Sequence, residues 1–237
     1  MNTARQLTFD LAHRTALSGE DFLVAPANAE AVAWIDKWPD WPGSTICISG
    51  PTGCGKTHLA NVFMAKTQAH NLQAHLIDAS DINENNARSL VESHAALVID
   101  NAHQIANSDR EEALFHILNM LNETGHHAIL CAQTPPARWK VQLPDLQSRL
   151  NALQHVPIQN PDEALLAAVM VKQFSDRQLR IDTAGIDYIL PRMERSFSAV
   201  NTIVSAIDTL ALREHRNITI PLIKKVMDAH FQEELKL

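Results

Sequence analysis

Gly50-Pro51-Thr52-Gly53-Cys54-Gly55-Lys56-Thr57 is an unbroken G-x-x-x-x-G-K-T phosphate-binding loop, and it narrows the folds open to this chain more than any other feature. Its flanks have the right character. Ser44 to Ser49 is a short β-branched run that reads as a buried strand, and His58 to Lys66 reads as helix. Between strand and helix, a glycine-rich turn aims backbone N–H groups at phosphates, and the helix N-terminus adds roughly half a positive charge. Pro51, Thr52, Cys54 and His58 complete the cradle with the three glycines, Lys56 reaches the terminal phosphates, and Thr57 offers its hydroxyl to Mg²⁺. The expectation is a chain that binds ADP or ATP.

The pattern around the loop predicts an α/β fold. Gln73 to Asp78, Ala95 to Asp100, His127 to Gln133 and Leu153 to Ile158 read as further strands. Helical stretches separate them: Asp81 to Ser93, Asp109 to Glu123 and Leu143 to Ala152, with Ala27 to Trp38 before the first core strand. Such alternation implies a parallel five-stranded sheet covered on both faces. At Asn160-Pro161-Asp162-Glu163 the composition changes to a helix start, read with Asn160 as cap and Pro161 at the first position. Four helices are predicted from there: Pro161 to Gln178, Thr183 to Met193, Ser198 to Glu214 and Thr219 to Leu235. The expected division is an N-terminal arm over 1–20, a nucleotide-binding α/β domain over 21–159 and a small all-helical lid over 160–237.

Composition excludes several function classes. A formal net charge of −7 argues against a protein that works mainly by wrapping nucleic-acid phosphates. Three cysteines without C-x-x-C spacing suit buried thiols in a reducing cytosol better than disulfides or zinc. The longest apolar run, Ala164 to Val171, is too short to span a bilayer. None of the twelve histidines forms a metal-binding pair, and His126-His127 reads as a polar turn before a strand. A cytoplasmic protein is the expectation.

Leu97-Val98-Ile99-Asp100 is an apolar strand ending in a carboxylate, the Walker B pattern, which makes Asp100 the second expected Mg²⁺ ligand beside Thr57. Hydrolytic proteins of this kind follow that acid with another that orients the attacking water. Here the position holds Asn101, whose amide can hydrogen-bond water but cannot take its proton, so slow intrinsic hydrolysis is expected. The alternative is that Asn101 only shapes the strand end.

With its phosphate loop, its Walker B strand, a polar residue ending the next strand at Gln133, and a helical lid, the chain resembles the DnaA-related AAA+ ATPase family. That family comprises the bacterial replication initiators and their Hda-type regulatory relatives. Asp21-Phe22-Leu23-Val24-Ala25-Pro26-Ala27-Asn28 is similar to the segment that packs beside adenine there, which implicates Phe22, Leu23, Val24 and Asn28 in nucleotide binding. Cys131 to Pro136 resembles the sensor I strand end, and Leu143 to Leu150 carries the family's Ser-Arg-Leu. The resemblance implies that Arg149 acts as an arginine finger in a neighbour's nucleotide site, against the plainer reading of a surface salt bridge. It also implies a sensor II arginine near the start of the third lid helix. Ser198 stands there, with Arg195 about one turn earlier.

Gln6-Leu7-Thr8-Phe9-Asp10-Leu11 resembles the short peptide that docks on the replicative sliding clamp, the beta subunit of DNA polymerase III. Gln6 would hydrogen-bond while Leu7, Phe9 and Leu11 anchor in an apolar cleft, although the same residues would also suit an edge strand or a contact with the core. Together these features imply an Hda-type negative regulator of bacterial replication initiation. It would bind ADP or ATP with Mg²⁺, dock on the DNA-loaded clamp and stimulate ATP hydrolysis by ATP-bound DnaA. Head-to-tail self-association or a homodimer is a further expectation. Neither a sequence-specific DNA-binding domain nor a membrane role is expected. The competing readings are a self-contained AAA+ ATPase such as a helicase loader, and a nucleotide-stabilised clamp-binding adaptor.

Overall fold

Strand residues in a parallel sheet alternate between two buried faces, and that alternation organises the first of two compact units, which meet between Gln159 and Asn160. The computed structural model describes residues 12–15, 21–214 and 216–234. Among the described residues, β1 (Ala12–Thr15) and β2 (Asp21–Val24) form a two-stranded sheet, followed by α1 (Ala29–Lys37). The core then runs β3 (Thr45–Ser49), α2 (Lys56–Ala69), β4 (Ala74–Asp78), α3 (Glu84–Ser93), β5 (Ala96–Asp100), α4 (Glu111–Thr124), β6 (His127–Ala132), α5 (Pro144–Ala152) and β7 (Gln154–Pro157). Five of these strands form the predicted parallel sheet, ordered β4-β5-β6-β3-β7.

Each face has its own apolar layer. Cys47, Leu97, Ile99, Ala128 and Leu130 point toward α3, α4 and α5, where Leu90, Leu114, Ile117, Leu121 and Leu146 meet them. Ile46, Ile48, Val98, Ile129, Cys131 and Val156 point the other way, onto Ile35 of α1 and Leu59 and Phe63 of α2. Every residue of β3 is buried, the polar ends Thr45 and Ser49 included, which is why its centre Ile46-Cys47-Ile48 is unbroken by a solvent-facing position. Each Ile, Leu or Phe buried this completely contributes roughly 1.5–3 kcal/mol.

The second unit holds α6 (Glu163–Asp176), α7 (Thr183–Ile189), α8 (Phe197–Glu214) and α9 (Ile220–Glu234) around Met170, Phe174, Ile186, Val200, Ile203, Val204 and Ile223. Gly185 lies at a close contact, where an added Cβ would stand 2.8 Å from Ile181 and 2.9 Å from Ile223. Among the described residues, no helix is long and apolar enough to cross a membrane.

The structure departs from the sequence reading at several element ends. The expected arm is not featureless to residue 20, since 12–15 pair with β2. α6 starts at Glu163, with Asp162 as its cap accepting from Leu165 N at 2.8 Å, so Asn160 and Pro161 precede the helix. A carboxylate is the better acceptor beside the positive helix end, and that decides the start. α7 stops at Ile189, and Leu190 to Arg192 tighten into a 3₁₀ turn around Pro191. His127 opens β6 as the strand reading has it, half-buried with its ring 5.9 Å from Trp38 and 5.6 Å from Trp41, so of the His126-His127 pair only His126 remains in the turn.

Asp162→Ala should remove about 1 kcal/mol from the helical unit. In a urea titration, far-UV circular dichroism should show an earlier transition. Tryptophan fluorescence should move less, because all four tryptophans lie in the α/β unit.

Candidate functional site

All five strands of a parallel sheet end at the same edge, and loops at that edge gather the residues the sequence singled out. The phosphate loop leaves β3 while the ladder still continues: Gly50 N donates to Ala132 O at 3.1 Å, and Ile158 N to Ser49 O at 2.7 Å. A Cβ on Gly50 would meet Ile158 O at 2.5 Å and Cys54 Sγ at 2.7 Å, so only glycine fits there. Gly53 and Gly55 take φ of 73° and 101°, a left-handed backbone that side chains resist. The turn ends at Gly55, and α2 begins at Lys56, two residues earlier than the sequence indicated.

Lys56 folds back into its own loop. Its Nζ donates to Gly50 O at 2.7 Å and Pro51 O at 2.8 Å, with Cys54 Sγ at 3.8 Å. Thr57 is exposed on the first turn of α2, and His58 is half-buried behind it. Cys54 is buried, and burial raises its thiol pKa against the opposing pull of Lys56. Burial likewise pushes Cys47 up to about 12 and raises Cys131.

The segment before α1 closes on the same edge. Asn28 is buried; its Oδ1 accepts from Ala25 N at 2.9 Å and its Nδ2 donates to Leu23 O at 3.1 Å. Gln159 N donates to Ala27 O at 3.1 Å, so the end of β7 joins Leu23–Asn28 to the phosphate loop. Val24 is half-buried against α1, α2 and the sheet, and Phe22 lies in β2 by its backbone.

Asp100 ends β5, directly opposite Asp78 at the end of β4. Asn101 follows in the left-handed conformation, φ 52°, its backbone N donating to Asp100 Oδ1 at 2.8 Å. Its amide Nδ2 donates to Asp78 Oδ2 at 2.7 Å. Hydrogen bonds from Ser80 and then Asn101 hold the Asp78 carboxyl below its usual pKa. The amide expected to touch water therefore ties two strand ends together. Gln133 is exposed just past β6, and its backbone N donates to His103 Nδ1 at 3.4 Å. His103 escaped the sequence reading. Burial first, then the positive charge of Lys56, lowers its pKa, while Asp100 pulls the other way, so Walker B acid, loop lysine and imidazole share one electrostatic neighbourhood. The signal available was its place one turn after Asp100.

The residues fit a nucleotide with magnesium. The glycine cradle, the helix N-terminus and Lys56 suit phosphates, while a hydroxyl at Thr57 and a carboxylate at Asp100 are hard oxygen donors. Among the described residues no group of three or more His, Cys, Asp or Glu could hold a metal unaided, so phosphate oxygens and water would complete its shell.

Arg149 is elsewhere. It is exposed on α5 and lines a groove of about 240 Å³ with Gly43, Ser44, Asn122, Leu153 and Gln154, at the edge where β3 and β7 begin. It forms no ion pair or hydrogen bond among the described residues. Arg195 is exposed and donates from Nη2 to Glu163 Oε1 at 2.6 Å within the helical unit; Ser198 is the second residue of α8. Gln6, Leu7, Phe9 and Leu11 lie outside the described residues.

Two family models match the chain: the bacterial DnaA ATPase domain over residues 14–156, and the lid domain of Hda over 162–227. An uncharacterized protein of Haemophilus influenzae is 24% identical over 185 residues, covering 76% of this chain and 80% of the relative. The replication initiator DnaA of Caulobacter sp. is 25% identical over 236 residues, covering 90% of this chain and 48% of the relative. The chain thus spans about half the length of the curated DnaA relatives it matches. Among solved structures, domain III of Thermotoga maritima DnaA superposes with TM-score 0.76 at 17% identity, covering 88% of this chain and 94% of that one. AMPPCP-bound DnaA from Aquifex aeolicus gives 0.68 at 20% identity, covering 83% and 65%.

Burial of all three thiols predicts that iodoacetamide at pH 8 leaves the native chain unlabelled over the time in which the denatured chain reacts fully. Labelling of Cys54 at the denatured rate would mean that the loop does not hold this conformation.

Proposed function

The chain belongs to the bacterial DnaA ATPase-domain family and carries an Hda-type lid, and from this we infer that it is a nucleotide-binding regulator of replication initiation that acts on DnaA. The phosphate loop supports binding of ADP or ATP, as does the AMPPCP carried by the Aquifex DnaA of the same fold. Gly50 to His58 would cradle the phosphates, Leu23 to Asn28 would flank the base, and Phe22 and Arg195 belong to the same proposed set. Thr57 and Asp100 would hold Mg²⁺, which when bound neutralises charge on the terminal phosphates. Asn101, held by Asp78, has no proton-accepting group to offer, and this supports slow turnover of the chain's own nucleotide. His103 and Gln133 would sense the terminal phosphate from the strand edge.

One observation carries the action on DnaA: Arg149 is exposed, unpaired among the described residues, and at the opposite edge of the sheet from its own phosphate loop. The five residues of β3 that separate the edges span roughly 15 Å, farther than an arginine side chain extends. A guanidinium so placed can serve a phosphate only on another molecule. There it would stabilise the charge that spreads over the γ-phosphate oxygens as ATP is cleaved, leaving DnaA with ADP. Its planar fork suits that task better than a lysine would. In the same proposal Gln6, Leu7, Phe9 and Leu11 dock the chain on the sliding clamp, which would confine it to replicated DNA. Head-to-tail packing of two copies would use the same arginine edge.

Arg149→Ala should lose stimulation of DnaA-ATP hydrolysis on clamp-loaded DNA by a factor on the order of 10³ or more, while keeping its own affinity for ADP. Full stimulation by that variant would refute the mechanism. Separately, Gln6→Ala with Leu7→Ala should abolish retention on immobilised clamp. Unchanged retention would transfer clamp binding to another surface.

A further inference from the structure

Glu111 is the one carboxylate among the buried residues of the described chain, 5% exposed at the first position of α4. It has no ion-pair partner among the described residues. Four backbone-directed bonds satisfy it instead. Oε1 accepts from Asn107 N at 2.6 Å and Gln142 N at 3.0 Å, and Oε2 accepts from Gln142 N at 2.9 Å and Leu143 N at 2.8 Å. A charge taken out of water costs several kcal/mol unless its oxygens are met this fully.

The two sides of this clamp have different origins. Asn107 belongs to the segment that runs on from Asp100 through Asn101 and the 3₁₀ turn Ala102–Ile105, and it stands at φ 60°. Gln142 and Leu143 are the last residues before α5, with Leu143 its N-terminal cap position. Leu143 supplies no side-chain oxygen, so the start of this helix is tethered by Glu111 from outside. Gln142 Nε2 also bonds Asn107 Oδ1, at the exposed rim of the clamp. Beyond that tether, α5 is seated on the core by Leu146 and Leu150 and runs on into β7, so among the described residues Glu111 supplies the polar hold on its N-terminal end. Arg149 lies between those two leucines on the outer side of the helix, exposed.

We propose that Glu111 is a positioning residue for Arg149: its buried carboxylate locks the start of α5 to the loop that continues from Asp100, and so fixes where the guanidinium stands. This rests on reading Arg149 as the group that acts on a partner's nucleotide. The lock also joins that helix to the metal-binding end of β5, giving the chain's own nucleotide a route to the arginine. Small errors in placement matter, because a 1 Å displacement of a group acting on a transition state can cost on the order of 100-fold in rate.

The test compares the parent chain with Glu111→Gln, which keeps the shape but turns an amide N–H toward backbone donors. By hydrogen exchange, amides of 142–152 should exchange at least about 10-fold faster, while those of α2 and β3 keep their protection. In titrations of DnaA-ATP with the chain, the maximal stimulated rate should fall roughly 10-fold, with the half-saturating concentration and the chain's own ADP affinity unchanged. Gln142→Ala, which keeps the backbone bonds to the carboxylate, should preserve both readouts. Where Glu111→Gln does not accumulate folded, Glu111→Asp draws the carboxylate back by one methylene and is read in the same way. Unchanged exchange over 142–152 overturns the proposal whatever the turnover shows. Loss of protection in α2 and β3 as well as α5 overturns it too, because Glu111 would then be a general prop of the fold. A parent chain that leaves DnaA unstimulated would sink the reading of Arg149 instead, and the exchange pattern would still decide whether Glu111 holds α5.

Discussion

Polarity of the sheet is the constraint from which the rest follows. A strand buried on both faces must be followed by a helix that crosses back over the sheet, and repeated crossings force every strand to point the same way. In this chain that single requirement brings Gly50, Asp100, Gln133 and the end of β7 to one edge. The opposite edge receives the starts of the strands and, through α5, Arg149. The separation of the phosphate-loop end from the Arg149 end therefore needs no special device. It is a by-product of covering the sheet twice.

Much of this was legible in the residues. The loop motif, the apolar runs of β3, β5 and β6 and the stripe of α4 carry their geometry in their spacing, because burial on both faces or on one stripe leaves a periodic trace. Position along a helix end was less legible. Asn160-Pro161 looked like the start of α6, but the competing acceptor at Asp162 wins by two residues, a choice between neighbours that composition alone does not rank. The pairing of 12–15 with β2 was hidden for another reason: a short edge strand with one partner leaves almost no hydrophobic pattern to read.

The site shows the same divide. Lys56, Thr57 and Asp100 follow from motif logic, since each has a fixed offset from a strand end. Asn101 was singled out for what its amide cannot do, and the structure adds what it does, which is to bond Asp78 across the strand ends. That partner comes from a different strand and could not be read from local sequence. His103 and Glu111 were missed for the same reason. Their importance lies in contacts with Gln133 and with Gln142 and Leu143, thirty or more positions away, and nothing in their immediate neighbours marks them.

The bonds between Lys56 and the carbonyls of its own loop have a consequence for how a nucleotide enters. The ammonium is already solvated by protein, so an arriving phosphate must win it away from two carbonyl oxygens in addition to shedding water. Entry is thereby an exchange of partners, with a barrier the loop itself supplies, and release leaves a lysine ready to fall back into place. The same two carbonyls stabilise the empty loop, so part of what a phosphate gains from Lys56 is offset by the bonds it displaces.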